Sequence, residues 1–214
     1  MNHTARMAAL LGELRREMNG AVAESMQRGE GGYGLNYGVS IPTIRALAGG
    51  VGTDHDFARF LYGQDVRELR MAALTIADPR CVTPDNFDEW FAGRMPEELI
   101  EELALRLLSR CGRPVLDALR KRWLSAGSAA QRYAALMTLA RARVQEIDTA
   151  AIVHVVPDVV AAFPDDLRLA RGAAAFVQAA SARIAHGEIA RMLERLPDSH
   201  GGSYLRDELE WMIF

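Results

Sequence analysis

Asp65-Val66-Arg67-Glu68-Leu69-Arg70-Met71-Ala72-Ala73-Leu74-Thr75-Ile76-Ala77-Asp78-Pro79 sets the pattern for the whole chain. Strong helix formers fill its interior, Asp65 is a suitable N-cap, and Asp78-Pro79 stops the run. The stretch predicts a helix over 66–77. Alternating β-branched runs, the mark of strands, are scarce elsewhere as well.

The same grammar recurs downstream. Thr83-Pro84-Asp85-Asn86 predicts a start with Pro84 at the first helical position and Phe87, Trp90 and Phe91 on one face. Another helix begins at Pro96 with Leu99, Ile100, Leu103 and Leu107 in one stripe, and Gly112-Arg113 separates it from Pro114–Leu124. Ser128 caps a helix to about residue 144. Further helices are expected over 148–163 with a break at Pro157, then over 165–184, 187–196 and 203–214. The longest non-helical stretch is Arg28–Ile41, whose five glycines mark a loop.

Connections of roughly two to six residues make successive helices antiparallel neighbours. Pairs recur roughly every 35–45 residues, as in a HEAT or armadillo array. The expected fold is all-α, an α-solenoid of HEAT-like helix pairs in one domain over 1–214. A compact irregular bundle is the alternative.

Composition narrows the function. The chain has 214 residues, half hydrophobic and a quarter charged, which excludes a disordered or collagen-like chain. The stretch at 1–18 lacks a signal-peptide core, and no apolar run is long enough to span a membrane, so a cytoplasmic protein is expected. Cys81 and Cys111 are too few for a disulfide framework, and packing is the default for both. No histidine pairs with a second ligand at helical spacing, so no metal site is expected. Gly29, Gly31 and Gly34 match G-x-G-x-x-G, but the flanking strand and helix of a dinucleotide site are absent. In the same loop, Tyr33 and Tyr37 either stack on a base or anchor the loop to the core.

The basic residues number 25 against 28 acidic, net −3, and Lys121 is the one lysine among them. That average argues against a general nucleic-acid binder. Order along the chain argues the other way. Residues 83–102 carry a net −6, whereas Arg106–Arg143 holds nine basic residues against Asp117, a net +8. On a helical wheel Arg132 and Arg143 fall about 20° apart, at the edge of an apolar stripe, where they can line a groove. Glu97, Glu98, Glu101 and Glu102 share one helix start, where acids oppose the macrodipole. Glu101 sits beside Leu105 and Leu108 on the wheel, an apolar flank of the kind that raises a carboxyl pKa.

Tyr37-Gly38-Val39-Ser40-Ile41-Pro42-Thr43-Ile44-Arg45 resembles the Gly-hydrophobic-x-x-Pro-x-x-Arg segment of bacterial DNA alkylation repair enzymes of the AlkD type. Asp54–Ala58, Leu61-Tyr62, Val66–Arg70, Ile76–Pro79, Val82-Thr83 and Asp88-x-Trp90 continue the match in order, so that it spans about residues 30–91. The resemblance implies a right-handed superhelical array of HEAT-like repeats with duplex DNA in a concave basic groove. It also implies release of N3- or N7-alkylated purines without metal or organic cofactor. The family's Trp-Asp-x-x-Asp stretch falls on Glu97-Glu98-Leu99-Ile100-Glu101. The implied catalytic carboxylate is therefore Glu101, and the motif's aromatic residue is absent. Arg132 resembles the phosphate-holding arginine, and Phe176 stands where a lesion-contacting tryptophan is expected. Arg110, Arg113, Arg143 and Tyr37 complete the expected DNA-binding set. The alternative is a non-catalytic helical-repeat module that binds DNA or a protein partner.

Overall fold

The computed structural model describes residues 2–28, 33–142 and 147–213. Among these, twelve α-helices and no strands form, and the chain divides into two compact units, 1–107 and 108–214. No helix among the described residues is long and apolar enough to cross a membrane.

The first unit contains α1 (His3–Arg16), α2 (Gly20–Arg28), α3 (Ile41–Val51), α4 (His55–Tyr62), α5 (Arg67–Ile76) and α6 (Glu97–Glu102). The starts of α1, α3 and α4 are capped by the side chains of Asn2, Ser40 and Asp54. α3 packs on α1 and on α5, each helix lying against the one two places along, which is how one layer of a stacked pair array is built. α4 packs on α5 from the other side. Enclosed this way, α5 has every residue buried except Thr75.

That enclosure overturns the expected cap. α5 starts at Arg67 after Val66, with no side-chain cap, and Asp65 points elsewhere. Its Oδ1 accepts the Gly34 N–H at 3.0 Å, and the adjoining backbone forms a parallel bridge between Leu35 and Val66. A Cβ on Gly34 would lie 2.2 Å from Asp65 Oδ2, so a larger residue there would displace the carboxylate from this bond. The expected helix start at 83–86 is also corrected. Asn86 Oδ1 accepts the Thr83 N–H at 2.7 Å, and only a short 3-10 turn, Phe87–Trp90, follows.

The second unit contains α7 (Arg113–Leu119), α8 (Ala129–Arg141), α9 (Thr149–Ala161), α10 (Leu167–Ala180), α11 (His186–Glu194) and α12 (His200–Leu209). α8, α10 and α12 pack in series, and α9 packs on α11, so the expected stacked layers are present within this unit. Small residues permit the close approach of α8 and α10: a Cβ on Gly172 would lie 2.8 Å from Tyr133 Cδ2. α9 runs through Pro157 without the expected break. α6 and α7 each continue into a π turn, Leu103–Leu107 and Arg120–Leu124 respectively. Cys111 is buried as expected, and burial pushes its thiol up to about 12; Cys81 is instead exposed.

Candidate nucleic-acid interface

The basic stretch of the second unit is organised by the turn between α7 and α8. Ser128 begins α8 with a reciprocal cap: its Oγ accepts the Gln131 N–H at 3.3 Å, and its own N–H donates to Gln131 Oε1 at 3.0 Å. This fixes the first turn of α8, and Arg132 reaches back from it. Its Nε donates to the Gly127 carbonyl at 2.9 Å and its Nη2 to the Ser125 carbonyl at 3.0 Å. Arg132 therefore closes the end of the preceding helix, with its guanidinium 5.4 Å from the Phe163 ring centroid. Partial burial lowers its pKa, but an arginine remains charged.

Arg132 lines a cavity of about 270 Å³ together with Arg120 and Lys121 from the π turn and with Val155, Asp158 and Val159 from α9. Asp158 Oδ1 lies 3.6 Å from Arg195 Nη2. Arg120 and Lys121 also border a smaller recess of about 160 Å³ that includes Arg113, Asp117 and Asp148. Arg113, at the start of α7, lies 3.6 Å from Asp117. Cations from separate helices thus meet around two adjoining hollows, an arrangement suited to phosphate oxygens.

Arg110, Phe176 and Tyr37, also in the expected DNA-binding set, do not line these hollows. Arg110 is exposed at the end of a 3-10 turn, Leu108–Arg110, just before α7. Phe176 is 1% exposed, in the core face of α10. Tyr37 belongs to the first unit and is also core, with its backbone N–H donated to Glu68 at 3.1 Å. Arg143 lies outside the described residues, as do Gly29 and Gly31. Arg120 and Lys121 belong to the basic window of the sequence, yet nothing in that window singles them out as site residues. Their convergence on Arg132 depends on the turn.

Glu101 is half-buried on α6 of the first unit. Its neighbours in the motif are taken up by arginines. Arg67 donates from Nε and Nη2 to the two oxygens of Glu98 at 2.7 and 2.8 Å. Arg45 forks onto Glu102, with Nε 3.0 Å from Oε2 and Nη2 closing onto Oε1. The wheel that placed Leu105 and Leu108 beside Glu101 does not hold, because the π turn over Leu103–Leu107 intervenes.

Behind this helix start lies a buried network. Glu68 Oε1 accepts the N–H groups of Tyr37 and Val39 and Nη1 of Arg67 at 3.1–3.3 Å. Arg67 Nη1 also donates to the Val39 carbonyl at 2.8 Å. The segment before α3 is thereby tied to α5, and α5 in turn to α6.

Comparison with known proteins bears on both units. A solved structure matches with a TM-score of 0.72 at 16% identity, covering 100% of this chain and 97% of its own. It is described as belonging to "a new family of proteins related to the HEAT-like repeat DNA glycosylases with affinity for branched DNA structures". At that identity the likeness establishes the HEAT-like helical fold. No curated protein matches the chain. The family model for DNA alkylation repair enzymes matches residues 10–173, more than three quarters of the sequence. The chain therefore belongs to the DNA alkylation repair enzyme family.

Proposed function

We propose that this protein binds DNA, gripping backbone phosphates at the cavity lined by Arg120, Lys121 and Arg132. The observation that carries the reading is the convergence of three cations from two helices on one hollow of about 270 Å³. Phosphate oxygens answer such cations without reading base sequence, so the preference is for DNA shape. The similar solved structure belongs to proteins with affinity for branched DNA, and branched or junction DNA is the ligand class we assign here. Such a ligand would put the protein to work on chromosomal DNA in the cytoplasm.

A second reading adds base excision. The observation that favours it is the anchoring of α6 on both sides of Glu101, by Arg67 through Glu98 and by Arg45 through Glu102. A carboxylate carried on a helix anchored in this way can stabilise the oxocarbenium ion that develops as an N3- or N7-alkylated purine departs.

Binding to a four-way junction and to linear duplex, measured by anisotropy across a salt series, tests the first reading. The double variant Arg120→Ala/Lys121→Ala is expected to flatten the salt dependence, by roughly 0.9 in log–log slope for each phosphate it no longer neutralises. An unchanged slope would remove the cavity from the interface. For excision, release of methylated purines should fall by about a hundredfold or more in Glu101→Gln. Equal release by that variant eliminates Glu101, and no release by the wild type eliminates the second reading.

A further inference from the structure

The first unit contains a pocket of about 670 Å³ that neither reading uses. Tyr62 and Trp90 form its aromatic wall, with ring centroids 4.9 Å apart, and the Tyr62 hydroxyl donates to the Trp90 carbonyl. Tyr33 lines it from the segment that Asp65 holds through Gly34. Burial, with Glu98 nearby, pushes the Tyr33 phenol well above its ordinary range and keeps the ring neutral.

Arg70 gives the pocket its charge. It lines the wall but is only 6% exposed, with its guanidinium 4.8 Å from the Tyr62 centroid. Nη1 donates to the Arg94 carbonyl at 2.8 Å and Nη2 to the Ala92 carbonyl at 2.9 Å, which fixes the fork. Nε is buried without an acceptor, and the partners of Arg70 among the described residues are two carbonyls and the Met95 sulfur rather than a carboxylate. A buried guanidinium cannot shed its proton, so its charge stands without a direct ion pair beside the aromatic rings, in a pocket that Asp65 and Glu89 also line. At the mouth, Arg94 is exposed, and Arg59 pairs with Glu89 along one edge.

This combination selects a ligand chemistry. An apolar molecule would leave Arg70 unanswered, and a small inorganic anion would leave the rings unused. A nucleotide satisfies both, because it joins a flat base with acceptor edges to a phosphate, and the volume lies within the usual range for ligand sites. We propose that the pocket takes one unstacked nucleotide, its base against the half-buried Tyr33 in front of the Tyr62 and Trp90 rings, and its phosphate on the exposed Arg94, with the charge of Arg70 behind them. The inference rests on the DNA-binding reading for the source of that nucleotide, an unpaired position at a branch. A free mononucleotide offers the same chemistry.

Two probes separate the sources. The first is dAMP, titrated by calorimetry into wild type, Tyr33→Ala, Tyr33→Phe and Arg94→Glu. Binding is expected to weaken at least tenfold in Tyr33→Ala and in Arg94→Glu, and to persist in Tyr33→Phe. The second is a forked duplex with 2-aminopurine at the unpaired position beside the fork. Its emission should change on binding wild type and not Tyr33→Ala, while the two proteins bind linear duplex alike. Absence of dAMP binding at millimolar concentration, or equal binding by all four proteins, overturns the pocket. A dAMP response without a 2-aminopurine response overturns DNA as the source. An unchanged salt slope in Arg120→Ala/Lys121→Ala counts against the DNA-binding reading and not against the pocket, because the dAMP titration does not pass through that cavity.

Discussion

The two units hold themselves together by different means. The first carries eleven basic against sixteen acidic residues, a net −5, and the second fourteen against twelve, a net +2. In the first, arginine works inside. Arg67 is 2% exposed between Glu68 and Glu98, Arg45 reaches a buried Glu102, and Arg70 holds two carbonyls. The second relies on small residues that let helices close up, with Ala134 and Ala135 of α8 and Ala170, Gly172 and Ala173 of α10 all buried. Two of its exposed arginine pairs are loose, Arg113–Asp117 and Arg195–Asp158 at 3.6 Å each. Among the described residues of the second unit no arginine is buried, which leaves its arginines near the surface where a ligand can meet them.

The sharpest way to break this contrast is to remove one internal arginine. Arg67→Ala strands Glu68 in the core and should destabilise the protein by about 3–5 kcal/mol. Arg113→Ala, at an exposed pair, should stay within about 0.5 kcal/mol in the same denaturant melts. Similar costs for the two would end the distinction. The next test addresses close packing. Gly172→Val forces a side chain against Tyr133 and should cost about 1–3 kcal/mol, whereas Gly187→Ala, with nothing within 4 Å, should be neutral or mildly stabilising.

The smallest effect concerns acid. Asp54 accepts from Arg6 Nη1 at 2.6 Å and from the Phe57 N–H at 3.0 Å, and these bonds hold its carboxyl below the usual range. A depressed folded pKa adds stability above the unfolded value, near 3.9, and that stability is lost as pH falls through the folded value. Asp54→Asn should therefore lower stability slightly at pH 6 and converge with wild type as pH falls through the depressed folded value. Parallel curves across that range would place the acid sensitivity elsewhere.

Periodicity and local chemistry made much of the architecture legible. The Ser128 cap, the Leu99–Ile100–Leu103–Leu107 stripe and the loop before Ile41 all follow from interactions within a few residues. Much of what escaped prediction was set by partners distant in sequence. Asp65 has the chemistry of a cap, yet the Gly34 N–H, 31 residues earlier, takes its carboxylate. The same holds for the candidate sites. Arg132 stood out through the resemblance and the charge window, but its reach to Gly127 and Ser125 depends on how the turn closes. Phe176 and Tyr37 were legible as aromatic residues, and only packing reveals that both belong to the core. The pocket of the first unit draws its walls from three separate stretches of chain, and no spacing rule joins them.

The tie between the Tyr33–Val39 segment and the start of α5 has a kinetic consequence. Its hydrogen bonds to Asp65 and Glu68 span about thirty residues, so the entropy of closing that loop is lost before any of them forms. α5 must also be in place to present Glu68. The tie is expected to assemble after the folding barrier, and weakening it at Asp65 should quicken unfolding while leaving the folding rate nearly unchanged. The bridge at Leu35 and Val66 then works as a latch, setting how long the first unit stays closed once it has folded.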